Sequence, residues 1–165
     1  MIDKPIAFER VGPRTVPAVS DLQVHDHQEQ YVGPVSRIVE RARETDHMYA
    51  VRIEECVVGF FIIDTAYGDA YDFARPNEVG LRAFLIDRRY QGRGYCRAAL
   101  SALIPYLERE YPAVDGVVLT VNRRNPRAVA CYERGGFALT GETYRGGSAG
   151  PQYIMRRAFG PRSRP

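Results

Sequence analysis

Leu85-Ile-Asp-Arg-Arg-Tyr-Gln-Gly-Arg-Gly-Tyr-Cys96 carries the chain from an apolar run, through a turn with glycine at 92 and 94, into a helical pattern. Upstream, Glu78–Ile86 reads as a strand, with Leu81, Phe84 and Ile86 among its apolar members. Downstream, Cys96, Ala99, Leu100, Leu103, Ile104 and Leu107 fall at helical spacing, and Pro105 inside that pattern is expected to kink or shorten the helix. Glycines at 92 and 94 let the backbone turn tightly and bring several N–H groups close to a bound group. Such donors at a helix N-terminus suit a phosphate or pyrophosphate, and Arg93 between the glycines adds a charge-assisted contact. Other phosphate loops fit badly. A nucleotide P-loop needs a lysine and a hydroxyl that are missing here, and the dinucleotide fingerprint needs glycine at 97, which is Arg97.

Working outward, residues 6–11 form an opening strand pattern closed by Gly12-Pro13, and a short helix follows over 16–24. Val35, Ile38, Val39 and Ala42 mark a second helix, with Pro34 suited to its first turn. Strand patterns over 49–54 and 57–64 flank a polar pair and predict a hairpin. The stretch 65–77 reads as a loop. After the central helix come a strand over 117–121, a helix over Pro126–Arg134 that Gly135-Gly136 can end, and two strands over 138–145 and 152–157. The order is that of one mixed α/β domain over 1–159, with a frayed tail over 160–165.

The chain has 165 residues, 45% apolar and 26% charged, which suits one soluble globular domain. A net charge of +3 is too mild for a nucleic-acid binder. The charge is unevenly placed, however: residues 1–81 sum to −6 and residues 82–165 to +9. The half that holds the glycine turn is the basic one. Cys56, Cys96 and Cys131 are odd in number and far apart, so a disulfide framework is a poor reading and a reducing compartment a better one. Cys96 and Cys131 are expected to be small buried apolar side chains rather than nucleophiles. His25 and His27 have no third ligand at metal-binding spacing, so no metal is expected. With no signal-peptide core and no long apolar run, the expectation is a soluble, cytoplasmic protein with no membrane partner.

Further on stands Asn125-Pro-Arg-Ala128-Val-Ala-Cys-Tyr132-Glu-Arg-Gly-Gly136-Phe137. Together with Gln91, Gly92, Arg93, Gly94 and Tyr95, this pair of segments resembles the GNAT superfamily of N-acetyltransferases. That family shows [Q/R]-x-x-G-x-[G/A], then N-x-x-A-x-x-x-Y followed by G-F. Cys96 departs from the family's small glycine or alanine, with a distorted turn as the expected consequence. The resemblance implies a single domain with a central mixed, mostly antiparallel sheet of six to seven strands and about four flanking helices. It also implies acetyl-CoA as co-substrate, with a small-molecule amine as acceptor, and homodimers are frequent in the family.

Carried over residue by residue, the resemblance places the backbone of Phe84, Leu85 and Ile86 along the pantetheine arm. It places the amides of Gln91, Gly92, Arg93, Gly94, Tyr95 and Cys96 around the pyrophosphate, with Asn125 and Ala128 on the second wall. Tyr132 falls where the family tyrosine lies near the thioester sulfur. The departing thiolate wants a proton, which Tyr132 would supply, and the developing oxyanion wants a fixed donor such as a backbone N–H near Leu85. The acceptor amine must shed a proton before it attacks, and Glu78 is the candidate base, acting through water.

The N-terminal half is similar to the bacterial spermine/spermidine acetyltransferase subgroup. Val24, Gln28, Tyr31 and Val32 match a V-x-x-x-Q-x-x-[F/Y]-V stretch there, and Arg82 to Gly92 match R-x-F-[ML]-I-D-x-x-[YF]-Q-G. A polyamine acceptor is the resulting expectation, supported by Asp64, Asp69, Asp72 and Glu78 ahead of the cofactor turn. The alternatives are another small amine of the aminoglycoside or amino-acid kind, a protein N-terminus or lysine, or a non-catalytic acyl-CoA-binding regulator. An RNA-binding module built on Arg123, Arg124 and Arg127 lacks the interleaved aromatics it would need.

Overall fold

The computed structural model describes residues 4–161. Seven strands form one sheet in the order β1-β2-β3-β4-β5-β7-β6. These are β1 Ile6–Arg10, β2 Asp46–Ile53, β3 Cys56–Asp64, β4 Glu78–Ile86, β5 Gly116–Asn122, β6 Ala138–Tyr144 and β7 Gln152–Ala158. Every neighbouring pair is antiparallel except β4 and β5. A parallel pair needs a crossover, and here the long helix α5, Tyr95–Glu110, supplies it. The shorter helices are α1 Val16–Ser20, α2 Glu29–Val32, α3 Val35–Glu40, α4 Tyr67–Ala70 and α6 Pro126–Arg134.

The parallel junction is only three pairs long: Glu78 with Gly116, Val79 with Val117, and Gly80 with Val118. Beyond Gly80, β4 leaves β5 because of a bulge. Ala83 and Phe84 lie opposite the single residue Phe61, and Ala83 takes φ +51°, a left-handed value that side chains rarely adopt. A bulge increases local twist and bends its strand. The second half of β4 therefore turns a backbone edge toward β5 with no strand paired to it.

Alternation along the strands decides which side chains meet which helix. Leu81, Val117, Leu119, Val121 and Met155 face Leu100, Leu103 and Leu107 of α5 and form the main core. Ala50, Phe60, Ile62 and Leu85 face the opposite way, under Val19, Leu22 and Val35. On that same second face, Val118 and Ile154 carry an aromatic cluster of Tyr67, Tyr71, Phe73 and Tyr144.

Several expectations are corrected in detail. The first helix ends at Ser20 rather than 24, and the second ends at Glu40. Pro105 does not break α5, which runs through it for 16 residues. The stretch 65–77 is not all loop, since Tyr67 folds inward and carries the short helix α4 with it. Gly160 is docked, its N–H donating to Glu108 Oε1 at 3.0 Å, while the tail from 162 onward lies outside the described residues. No helix among the described residues is long and apolar enough to cross a membrane.

Among the described residues, the fully buried charged side chains are carboxylates, each paired with arginine. Asp46 and Asp64 share Arg43 and Arg82, and Asp87 is held by Arg89 and by the N–H groups of Gln23 and Arg89. Burial opposes ionisation of Asp46 and Asp87. The hydrogen bonds from Arg43 and Arg89 outweigh it, so both carboxyls sit below the ordinary 3.8. A carboxyl depressed in the folded state adds stability above its unfolded pKa and loses it as pH falls through the folded value. Thermal midpoints are therefore expected to hold from neutrality to about pH 5 and to fall steeply below about pH 4. A midpoint that fell smoothly from pH 7 would contradict this.

Candidate active site

The gap left between β4 and β5 opens into a cleft of about 520 Å³. One wall is Phe84, Leu85 and Ile86 of β4; the next is the turn 91–96, all but Arg93; the third is α6 with the residue before it. The turn is shaped by Gly92 at φ +75° and Gly94 at φ +84°, the latter capping α5. Helices leave their first N–H groups without intrahelical partners, so those of the first turn of α5 are available to an anion at the cleft.

Asn125 does two things at once. Its side chain caps α6 by accepting from Ala128 N at 3.3 Å, ahead of Pro126 in the first turn, and it lines the cleft. Tyr132 lies two turns along the same helix. Its ring sits between Phe84, at 6.1 Å between centroids, and Phe137, at 5.7 Å. Burial pushes its phenol well above the usual tyrosine value, so at neutral pH the group holds its proton.

The structure brings Phe84, Leu85, Ile86, Gln91, Gly92, Gly94, Tyr95, Cys96, Asn125, Ala128 and Tyr132 to this one cleft. Two predicted residues lie elsewhere. Arg93 turns its guanidinium to the Tyr90 ring, 5.9 Å away, and is not among the lining residues. Glu78 stands at the far end of β4, beside the parallel junction. It is buried, accepts from Arg156 Nε at 2.5 Å and from Arg75 N at 2.9 Å, and does not reach the cleft.

Cys96 and Cys131 are not separate buried thiols, as the sequence suggested. They form a disulfide across the cleft wall, with Cα atoms 6.7 Å apart. The reason is packing: α6 lies against the start of α5, which makes neighbours of residues 35 apart in sequence. Among the described residues no group of three His, Cys, Asp or Glu could hold a metal ion.

The lining also includes arginines that the sequence did not assign to the cofactor. Arg97, Arg127 and Arg134 line the cleft, and among the described residues no carboxylate does. The only forewarning was the +9 charge of the second half of the chain. Three guanidinium groups, free helix N–H donors and an unpaired strand edge form a donor set that fits a long, polyanionic ligand with amide groups along its arm.

A family model for the acetyltransferase (GNAT) family matches residues 16–137. A spermine/spermidine N(1)-acetyltransferase of Bacillus subtilis strain 168 is 32% identical over 130 residues, which is 76% of this chain and 82% of that protein. Among solved structures, the aminoglycoside acetyltransferase AAC(6')-Ib in complex with coenzyme A aligns over 93% of this chain and 94% of its own, with a TM-score of 0.76 and 20% identity. The spermidine N-acetyltransferase of Vibrio cholerae, in complex with CoA and spermine, covers 93% and 95% with a TM-score of 0.69 and 15% identity. The last two likenesses are of fold.

Proposed function

Because this chain belongs to the GNAT family and is an acetyl-CoA-dependent N-acetyltransferase, we propose that its acceptor is a polyamine such as spermidine or spermine. The observation that carries this reading is the 32% identity to a spermine/spermidine acetyltransferase along most of that protein's length. A second feature supports it. On the sheet face away from α5, Tyr71 stacks on Tyr67 at 4.2 Å, and Phe73 and Tyr144 lie within 5.9 Å of one another. Exposed Asp69 and Asp72 flank these rings. Aromatic faces beside carboxylates attract alkylammonium groups, which suits a multiply charged amine.

The donor supplies an activated acetyl group as a thioester. The chain's own residues do the rest. The guanidinium groups of Arg97, Arg127 and Arg134, with the first N–H groups of α5, hold the phosphates. The open edge of β4 at Phe84–Ile86 would hold the amide-bearing arm as it would an added strand. A backbone N–H near Leu85 would meet the oxygen on which charge develops, and Tyr132 would give its phenolic proton to the leaving sulfur and regain one from water. The amine would give up its proton to water, since among the described residues no carboxylate lines the cleft.

Steady-state assays with spermine, spermidine, an aminoglycoside, free amino acids and a peptide N-terminus test the acceptor class. The expectation is that kcat/KM for a polyamine exceeds that for every other acceptor by at least about tenfold, the factor one extra well-placed charge contact supplies. Equal or better turnover of the aminoglycoside would remove the polyamine assignment and leave the acetyltransferase one intact.

A further inference from the structure

Val24, Gln28, Tyr31 and Val32, of the V-x-x-x-Q-x-x-Y-V stretch, all line the cleft. Between Leu22 and Val35, both core residues, no residue is buried. A segment with so little burial opens at low cost unless other contacts hold it. Here the contacts are hydrogen bonds, and they go to the two turns that frame the cleft.

At its root, Gln23 N–H donates to Asp87 Oδ2 at 3.0 Å, and Arg88 N–H donates to Gln23 O at 2.7 Å. Asp87 is almost wholly buried, so this end is fixed. In the middle, Gln28 and Gln91 exchange amide hydrogen bonds, Gln91 Nε2 to Gln28 Oε1 at 2.9 Å and Gln28 Nε2 to Gln91 Oε1 at 3.2 Å. The second Gln91 N–H donates to Ile86 O at 2.9 Å, and Gln28 Oε1 also accepts from His25 N–H at 3.0 Å. At the far end, Tyr31 OH donates to Arg124 O at 3.2 Å, the carbonyl just before Asn125. That turn is itself preset, since Asn122 Oδ1 accepts from Arg124 N–H at 2.9 Å.

We infer that residues 23–32 are a strap across the acetyl-CoA cleft, and that Gln28 and Tyr31 are positioning residues for the cofactor. Gln28 acts through Gln91. A side-chain amide clamped on three sides fixes the first residue of the pyrophosphate turn, and with it the direction of the N–H groups that follow. Tyr31 acts through Arg124 O, holding the strap to the opposite wall with one exposed bond. The root is strong and the far end weak, so the strap lifts at Tyr31 when cofactor enters or leaves. None of these bonds reaches α4, β6 or β7, and all of them end on the turns that frame the cleft.

Calorimetric titration of the folded enzyme with CoA, beside initial-rate kinetics, tests this without reference to which amine is acetylated. Gln28→Ala is expected to weaken CoA about fivefold, as loss of one or two neutral hydrogen bonds would. If Gln28 works through Gln91, Gln28→Ala/Gln91→Ala binds CoA no more weakly than Gln91→Ala alone. Tyr31→Phe keeps the ring and removes the bond, and is expected to speed CoA release about threefold to tenfold with the melting temperature unchanged. Additive effects of Gln28→Ala and Gln91→Ala, or unaltered CoA binding in both Gln28→Ala and Tyr31→Phe, would overturn the strap.

Discussion

Tyr132→Phe should lower kcat about a hundredfold while the dissociation constant for acetyl-CoA stays within a factor of two. The ring remains between Phe84 and Phe137, so packing and cofactor contacts persist and only the proton donor is lost. A proton returned to the sulfur matters in the transition state alone, which is why the effect belongs in kcat. Burial raises the Tyr132 phenol, so in the unmodified enzyme no alkaline limb from this group should appear below about pH 10, the ordinary tyrosine value. Rapid-quench measurement of the first turnover would separate chemistry from product release. An unchanged first-turnover rate would remove Tyr132 from the acid role.

Replacing Glu78 by alanine should do the opposite. The Arg156 side chain is only 14% exposed, and its guanidinium also donates to Phe73 O at 2.7 Å. Removing the carboxylate strands that charge inside the protein, which typically costs about 3–5 kcal/mol. A drop in melting temperature of about 10 °C follows for a chain of this length. The fraction still folded should retain kcat within about threefold, because the carboxylate lies outside the cleft. Glu78→Leu with Arg156→Met should recover much of the stability, as buried pairs often exchange for apolar ones at little loss. A protein that melts normally but turns over a hundredfold more slowly would make Glu78 the base after all.

Local pattern decided some features of this molecule and distance decided the others. Strand β4 and helix α6 have the bounds read from the sequence, because β4 is an apolar run that is buried along most of its length and α6 is bracketed by Pro126 in its first turn and Gly135 at its C-cap. The turn 91–96 was legible since glycine at 92 and 94 answers to positive φ. Helix α4 was hidden because its four residues carry no period, and only Tyr67 packing under the aromatic cluster fixes it. Glu78 looked available at a strand end. Its partner Arg156 comes 78 residues later, through the pairing of β7 with β5. The Cys96–Cys131 bond depends in the same way on how α6 meets α5. The arginines of the cleft were visible as charge and invisible as geometry.

Those arginines have a chemical consequence. Lys4 is the chain's one lysine, and the remaining basic side chains of its 23 are all arginine. A guanidinium stays protonated at any working pH and is not a nucleophile, whereas an uncharged lysine amine beside a thioester would be. Lys4 is salt-bridged to Glu54 at 2.8 Å, and that hydrogen bond raises its pKa, which keeps it charged. An enzyme that concentrates an acylating reagent at its own surface thus presents that reagent with cations but with no side-chain amine in the cleft, and is guarded against acetylating itself.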